Sequence, residues 1–462
     1  MYREPGTLVT KILYQSTNCK SPEVSFREAL LKGLAPDGGL YMPSYIPKLT
    51  CNELEALSEM NYPSLATELL GKLVGSEIEK GDLSKICHDI YTFGIPLENV
   101  KERSYLMRLD QGPTASFKDF AALMMGRLMQ HFLLIDNKHI TILTATSGDT
   151  GSAVANAFYG LKNIRVIILF PTDEITDIQR KQMTTFNNNI QVIAINGKFD
   201  DCQLLAKKAF MDSSLTGMKL SSANSINIGR LLPQAVYYFW AWAQLSGKSK
   251  DEIVFSVPCG NFGNLAAGLI AKKMGLPVSR FVISTNENNE VPIFIESGKY
   301  RPIIPSRNCI SSAMNVGHPS NLARIISMYN GRMDEKGIMC KEPDLEKMKE
   351  DLFAVSVNDQ ETRNTTESFY NQYGKVLEPH GAVAWQGLQN YLINQSFPHR
   401  EKRIFVSLET AHPAKFRNEI RNILNVETVL PESLAKIEQG NEDYISLENN
   451  YESLKKFLIR NC

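Results

Sequence analysis

The chain has 462 residues, 43% hydrophobic and 22% charged, with lysine plus arginine equal to aspartate plus glutamate at 50 each. That length allows two or three domains with ample apolar cores. The even charge gives no electrostatic ground for a nucleic-acid or anionic-membrane partner. Eight cysteines without any C-x-x-C spacing argue against a zinc ribbon or dithiol redox site; they read as reduced thiols of a cytoplasmic protein.

The N-terminal MYREPGTLVTK carries charge early and lacks the long apolar core of a secretory signal. No run reaches the length of a membrane-spanning helix. Residues 1–95 read as a separate N-terminal domain. They hold the Gly- and Pro-rich loop GLAPDGGLYMPSYIP and helical patterns at 51–59 and 62–73. Residues 96–462 form a second region. It opens with GPTASFKDFAALMMG (112–126), a nearly chargeless run around Lys118, with an apolar helical stretch at 120–125. On these residues alone, Lys118 is either a surface lysine at a helix start or an amine that does chemistry.

A strand–turn–helix pattern then repeats. Strand 140–143 leads through TATSGDTGS to helix 153–161, and strand 164–170 follows. Strand 190–195 precedes helix 201–211. The polar SSANSINIGR (221–230) leads into an apolar helix at 231–242. Strand 253–257 passes through PCGNFGN to helix 265–274 and strand 281–284. Residues 333–349 are charged and read as a solvated loop and helix. Strand 404–408 ends in ETAHPAKF. Continuous apolar strands alternating with helices imply parallel sheets covered on both faces. The expected fold is therefore α/β, with two parallel-sheet domains, the smaller at about 118–245, and an N-terminal extension.

Four stretches can carry chemistry. PCGNFGNLAAG (258–268) joins a strand to a helix with small residues, so backbone N–H groups and the helix dipole can hold an anion. It fits neither G-x-G-x-x-G nor the P-loop; a tight turn without ligand is the alternative. TSGDTGS (146–152) offers Ser147, Thr150 and two glycines. Its Asp149-Thr150-Gly151 spells the aspartic-protease triplet, but such a protease needs a second carboxylate and no second D-T-G or D-S-G exists. SSANSINIGR ends in Arg230, a bidentate anion binder, although a plain helix cap reads the same. ETAHPAKF places Thr410 at the carboxyl end of a strand, where ligands of open α/β sheets collect; His412 before a proline reads as structural. Two anion cradles, an isolated lysine and a strand-end hydroxyl suit a phosphorylated aldehyde cofactor. Pyridoxal phosphate needs a Schiff-base lysine, a phosphate cup and a ring-nitrogen partner. No metal site is expected.

The ordered set YQSTN, GLAPDGGLYMP, GPTASFKDFA, TATSGDTGSA, VPCGNFGNLAAG, SSAMNVGHPSN and LETAHPAKF resembles threonine synthases of the long, bacterial and fungal type. These are fold type II pyridoxal-phosphate enzymes, like tryptophan synthase β. The resemblance runs almost end to end. It implies pyridoxal 5'-phosphate as cofactor and Lys118 as its covalent attachment. It implies Gly260, Asn261, Phe262, Gly263 and Asn264 around the cofactor phosphate, and Thr410 at the pyridine nitrogen. It further implies O-phospho-L-homoserine and water as substrates and L-threonine and phosphate as products. Ser147, Asp149, Thr150, Asn224, Ser225, Asn227 and Arg230 are then the candidate substrate contacts, with Asp149 near Lys118 or the ring hydroxyl. A cytoplasmic monomer or homodimer is expected. The alternatives are a phospholyase on O-phosphothreonine or O-phosphoserine, and a non-catalytic fold homologue. Gln111, Ala115-Ser116 and Asn18 depart from the His, Leu-Ala and Arg often found in the family, and bear on substrate contacts.

Overall fold

The computed structural model describes residues 12–246, 251–394 and 403–461. The charged segment 1–11 and Cys462 lie outside the described residues. Two sheets organise the chain. The larger has six strands in the order Leu352–Ser356, Val278–Thr285, Glu252–Pro258, Arg403–Glu409, Ser104–Arg108 and Leu97–Lys101. Its pairs are parallel except the last, an antiparallel hairpin. The smaller is wholly parallel, in the order Ile445–Glu448, Ile190–Asn196, Ile164–Pro171, Ile140–Ala145 and Leu220–Ser221.

Burial explains why the central strands carry no alternation. Every residue of Ile140–Ala145 is buried, and only the first residue of Glu252–Pro258 is exposed. Helices cover both faces, so neither side can be polar. On one face of the large sheet, Trp385, Leu388 and Tyr391 of helix Pro379–Asn394 pack on Val254, Val282 and Phe405. On the other, the Tyr238 ring meets Phe255 at 4.9 Å and Phe281 at 5.7 Å.

The N-terminal region forms a three-stranded antiparallel sheet, Val24–Ser25, Leu13–Ser16 and Tyr41–Pro43, with helices Cys51–Leu57, Tyr62–Val74 and Lys80–Ile90. Its core is continuous with the rest. Tyr62 packs on Tyr91, Phe120 and Trp240 at 5.0, 5.7 and 5.8 Å, and the Tyr91 hydroxyl donates to Phe120 O. The N-terminal region thus buttresses the helix that Lys118 begins.

Three expectations shift. The helix expected at 231–242 is two helices, Ile228–Leu231 and Gln234–Leu245, separated at Pro233, which lacks the N–H that continuation needs. The stretch expected as a loop and helix at 333–349 overlaps the antiparallel pair Arg332–Met333 and Met339–Lys341, which precedes helix Leu345–Asp351. The small sheet takes its edge strand from Ile445–Glu448, and helix Tyr451–Asn461 seals it with Leu454 and Leu458; the layer is not continuous in sequence. Among the described residues, no helix is long and apolar enough to cross a membrane and no His/Cys/Asp/Glu group could hold a metal.

Candidate active site

Three loops leave the carboxyl ends of parallel strands: one after Ala145, one after Pro258 and one after Glu409. A fourth, residues 112–117, delivers Lys118 as the first residue of helix Lys118–Asp136. This fourth loop is stitched to the third. Phe117 N donates to Thr410 O at 2.9 Å, and His412 N donates to Ala115 O at 3.0 Å. Main-chain pairing therefore brings Lys118 and Thr410 together, although about 290 residues separate them. Within the loop, Asp119 accepts from Thr114 N (2.8 Å) and Thr114 Oγ1 (2.5 Å). Burial pushes the Asp119 carboxyl up to about 6, with these hydrogen bonds opposing.

The Lys118 amine stands 3.8 Å from Asp149 Oδ2. Burial lowers its pKa to about 8; Asp149 opposes the shift, while Lys415 and Arg230 reinforce it. Roughly a tenth of such an amine is neutral at pH 7, against a negligible fraction for a surface lysine. Asp149 opens helix Asp149–Phe158 behind Gly148, whose φ of 122° suits glycine. A Cβ there would also lie 2.6 Å from Gln179 Cδ. Asp149 Oδ1 receives Lys415 Nζ at 2.6 Å and Gln179 Nε2 at 2.9 Å. Burial alone would raise this carboxyl, but the Lys415 and Lys118 charges and the two hydrogen bonds hold it well below the carboxylate range.

The loop after Pro258 is shaped by close approach. A Cβ on Gly260 would lie 2.8 Å from Ala313 O and Met314 Cα, and Phe262 adopts left-handed φ of 60°. Asn261 spans the loop: Oδ1 accepts from Ser320 N (2.7 Å) and Oγ (3.0 Å), and Nδ2 donates to Ser225 Oγ (2.5 Å). Helix Gly263–Lys273 begins here, and its first-turn N–H groups have no intrahelical acceptor. The Asn264 side chain instead points inward, accepting from Tyr237 and Tyr238 hydroxyls at 2.6 Å each.

The expected substrate contacts divide. Ser147 and Thr150 are half-buried at the TSGDTG loop, whose Gly148 and Gly151 N–H groups are already taken by Thr146 Oγ1. Asn224 bonds Ala145 O at 2.7 Å and Asn227 caps Gly229 N while donating to Leu30 O and Ser222 O. Both amides are committed to the backbone, so Asn227 in particular is a tether to the N-terminal domain. Arg230 differs. It is buried, donates from Nη1 to Ala223 O at 2.6 Å, and leaves Nε without a partner. Burial lowers it to about 10, with Asp119 opposing. A buried guanidinium with an orphan donor suits an anion. The structure thus gathers a largely buried lysine, a loop and helix start shaped by close approach, and a hydroxyl-bearing residue at a strand end.

Lys415 and Gln179 are partners of Asp149 that local sequence did not disclose. Lys415 lies in ETAHPAKF, where the histidine draws attention; its apolar flank of Pro413, Ala414 and Phe416 was the available signal. His412 caps the following turn through Nδ1, which accepts from Ala414 N. Of the departures, Asn18 donates to Asp37 O and Glu335 Oε2, and Gln111 to Asp110 Oδ1.

Comparison with known proteins identifies the family. The family described as Threonine synthase N terminus matches residues 13–91, Pyridoxal-phosphate dependent enzyme matches 93–408, and Threonine synthase, C-terminal matches 382–458. The threonine synthase of Haemophilus influenzae is 42% identical over 96% of this chain and 99% of its own length. The crystal structure of threonine synthase from Escherichia coli superposes with a TM-score of 0.87 at 36% identity, covering 97% of this chain and 100% of that one. The pyridoxal-phosphate-bound threonine synthase from Brucella melitensis gives 0.89 at 33% identity, covering 97% and 99%. The chain belongs to the threonine synthase family of fold type II pyridoxal-phosphate enzymes.

Proposed function

We propose that this protein is a cytoplasmic threonine synthase, monomeric or homodimeric, converting O-phospho-L-homoserine and water to L-threonine and phosphate. The observation that carries the reading is Arg230, a buried cation with an orphan Nε, whose charge bears on Lys118 and which lies on a different element from the Gly260–Asn264 cup. One anion site serves a cofactor; two serve a cofactor and a phosphorylated substrate. The seven free cysteines among the described residues support a reducing compartment.

Bound at Lys118, pyridoxal 5'-phosphate supplies the electron sink that acidifies substrate carbon–hydrogen bonds. The chain supplies the rest. Gly260, Asn261, Phe262, Gly263 and Asn264 form the loop and helix start that hold the cofactor phosphate. The Thr410 hydroxyl is the neutral partner of the ring nitrogen. With the cofactor held there, the Lys118 amine would be placed to move the Cα proton, to take the Cβ proton only after passing the first one on, and to return a proton to Cγ once phosphate has left; its lowered pKa suits such repeated transfer. Arg230, with Ser147 and Thr150, holds the leaving phosphate, whereas Ser225, expected there, is bonded to Asn261 of the cup. Water then adds at Cβ. Incubation with O-phospho-L-homoserine should yield equal amounts of threonine and phosphate. A keto-acid product from O-phosphothreonine or O-phosphoserine, with no threonine from phosphohomoserine, would replace this reading with a phospholyase.

A further inference from the structure

Asn321 and Arg324 lie behind the cup, at the start of helix Leu322–Met328, and both are fully buried. Arg324 donates from Nη1 to Asn321 Oδ1 (2.6 Å) and Ser225 O (2.8 Å), from Nη2 to Ile226 O (2.6 Å) and from Nε to Tyr41 O (3.2 Å). All four acceptors are neutral oxygens. Burial lowers the guanidinium to about 9, and no carboxylate offsets this. A buried cation held only by dipoles keeps an uncompensated charge, which is costly until an anion completes it.

Arginine can only donate, so its bond fixes Asn321 Oδ1 toward the guanidinium and turns Nδ2 the opposite way. That Nδ2 is buried and has no hydrogen-bond partner. It lies 3.6 Å from where a Cβ on Gly263 would stand, at the first residue of helix Gly263–Lys273. The Ser225 Cβ is at the same 3.6 Å. An orphan donor, a helix N-terminus and an unpaired cation behind them converge on one place.

We propose that Asn321 Nδ2 is a direct ligand of the cofactor phosphate, and that Arg324 positions and polarises Asn321 while acting as the buried counter-charge of that phosphate. The inference rests on the assignment of Gly260–Asn264 as the phosphate cup. The bond to Tyr41 O gives the N-terminal sheet a part in the same site: it closes the guanidinium from the far side.

Asn321→Asp is the informative variant. It keeps the size and the oxygen that faces Arg324, and it converts that contact to an ion pair. A purely structural role for Asn321 therefore survives it. A ligand role does not, because the donor becomes an anion and the Arg324 charge is cancelled. Full-length apoprotein is titrated with pyridoxal phosphate and with pyridoxal, which lacks the phosphate. Asn321→Asp should weaken pyridoxal phosphate by about a hundredfold or more, and Asn321→Ala by about tenfold. Pyridoxal affinity should not move, while the apoprotein's thermal midpoint should hold or rise in Asn321→Asp, where Arg324 gains a carboxylate, and fall in Asn321→Ala, where it loses an acceptor. Arg324→Gln should bring protonation of the bound cofactor phosphate into the neutral range, read from its phosphorus NMR shift, which stays flat in the wild type. Equal weakening of both ligands would reduce Asn321 to a scaffold residue and overturn the inference. Asn261→Ala separates the two levels. If it weakens pyridoxal phosphate while both Asn321 variants do not, the cup stands and this inference falls. If none of the three affects phosphate affinity, the cup assignment falls as well.

Discussion

Lys415 Nζ lies 2.6 Å from Asp149 Oδ1, while the Lys118 amine stands 3.8 Å from Oδ2 of the same carboxylate. One aspartate thus faces two lysines on different elements, and the closer is Lys415 rather than Lys118. Lys415 also donates to Thr114 O at 3.0 Å, which holds the loop leading to Lys118. The contact leaves Lys118 the weaker claim on Asp149, so its amine is freer to be neutral.

Lys415→Met should reverse that arrangement. Asp149 would keep Gln179 but have only Lys118 as cationic partner, and the Lys118 pKa should rise by about one unit or more from its value near 8. The groups facing Lys118 are Asp149, Lys415, Arg230 and Glu378; only one changes. The measurement is the rate of pyridoxal-phosphate attachment against pH, followed by absorbance. An unshifted profile would show that Lys415 only braces the loop, and Lys415→Met/Asp149→Asn should restore the wild-type midpoint.

Lys118→Ala should abolish covalent attachment while leaving a folded protein. Borohydride reduction of the wild type followed by peptide mapping should place the pyridoxyl group on residue 118. A label on Lys415, the other buried amine at this site, would reassign the chemistry.

Lys118 should also write a pH signature on stability. Its folded pKa of about 8 lies below its unfolded value of 10.5. Between these values the unfolded chain binds the extra proton, so stability rises with pH through that window. Below it, both states are charged and the full penalty applies, about 3 kcal/mol at most for this shift. Lys118→Met apoprotein should therefore be more stable than wild-type apoprotein at neutral pH, with the gain fading toward pH 10. Denaturant melts across that range test it; a gain that persists undiminished at high pH would mean packing rather than charge.

The parts legible in sequence share a physical cause. Ile140–Ala145 and Ile164–Pro171 are buried on both faces, so their apolar runs announce themselves. Edge strands do not: Leu352–Ser356 is buried only at its first residue and Ile445–Glu448 is mostly exposed, so neither needs an apolar run. Lys118 and the GNFGN loop stand out because an isolated lysine and a small-residue strand–helix turn are local patterns. Lys415, Gln179, Asn321 and Arg324 act on partners brought up by the fold, as Lys415 does on Asp149. Asn227 shows the converse. Uncharged donors before a helix read alike whether they bind a ligand or cap the helix, and here the cap takes the amide.

Thr410→Val should lower turnover by about ten- to a hundredfold, the equivalent of roughly 1–3 kcal/mol for a buried acceptor left unpaired. Cofactor affinity should fall less, because the phosphate cup is untouched and Phe117 N still bonds the Thr410 carbonyl. Valine is close in shape, so folding should persist. Wild-type turnover would remove Thr410 from the ring-nitrogen position.

Arg230 decides whether a second anion belongs here. Its Nη1 bond to Ala223 O is a neutral contact, and its Nε has no partner. The carboxylate that bears on it, Asp119, is bonded to Thr114 rather than to the guanidinium, so the buried charge is only partly compensated within the fold. If it serves substrate, Arg230→Ala should retain the cofactor spectrum, lose competitive inhibition by inorganic phosphate, and lower kcat/KM by about ten- to a hundredfold for one charge-assisted contact. Removing an unpaired buried cation should also leave the thermal midpoint unchanged or raise it. The structural alternative predicts the opposite pair: a lower midpoint, with phosphate inhibition intact in the fraction that remains folded. Measuring phosphate inhibition and thermal midpoint on the same preparation separates them. Retained inhibition would move the leaving-phosphate site to Ser147 and Thr150 at the start of helix Asp149–Phe158.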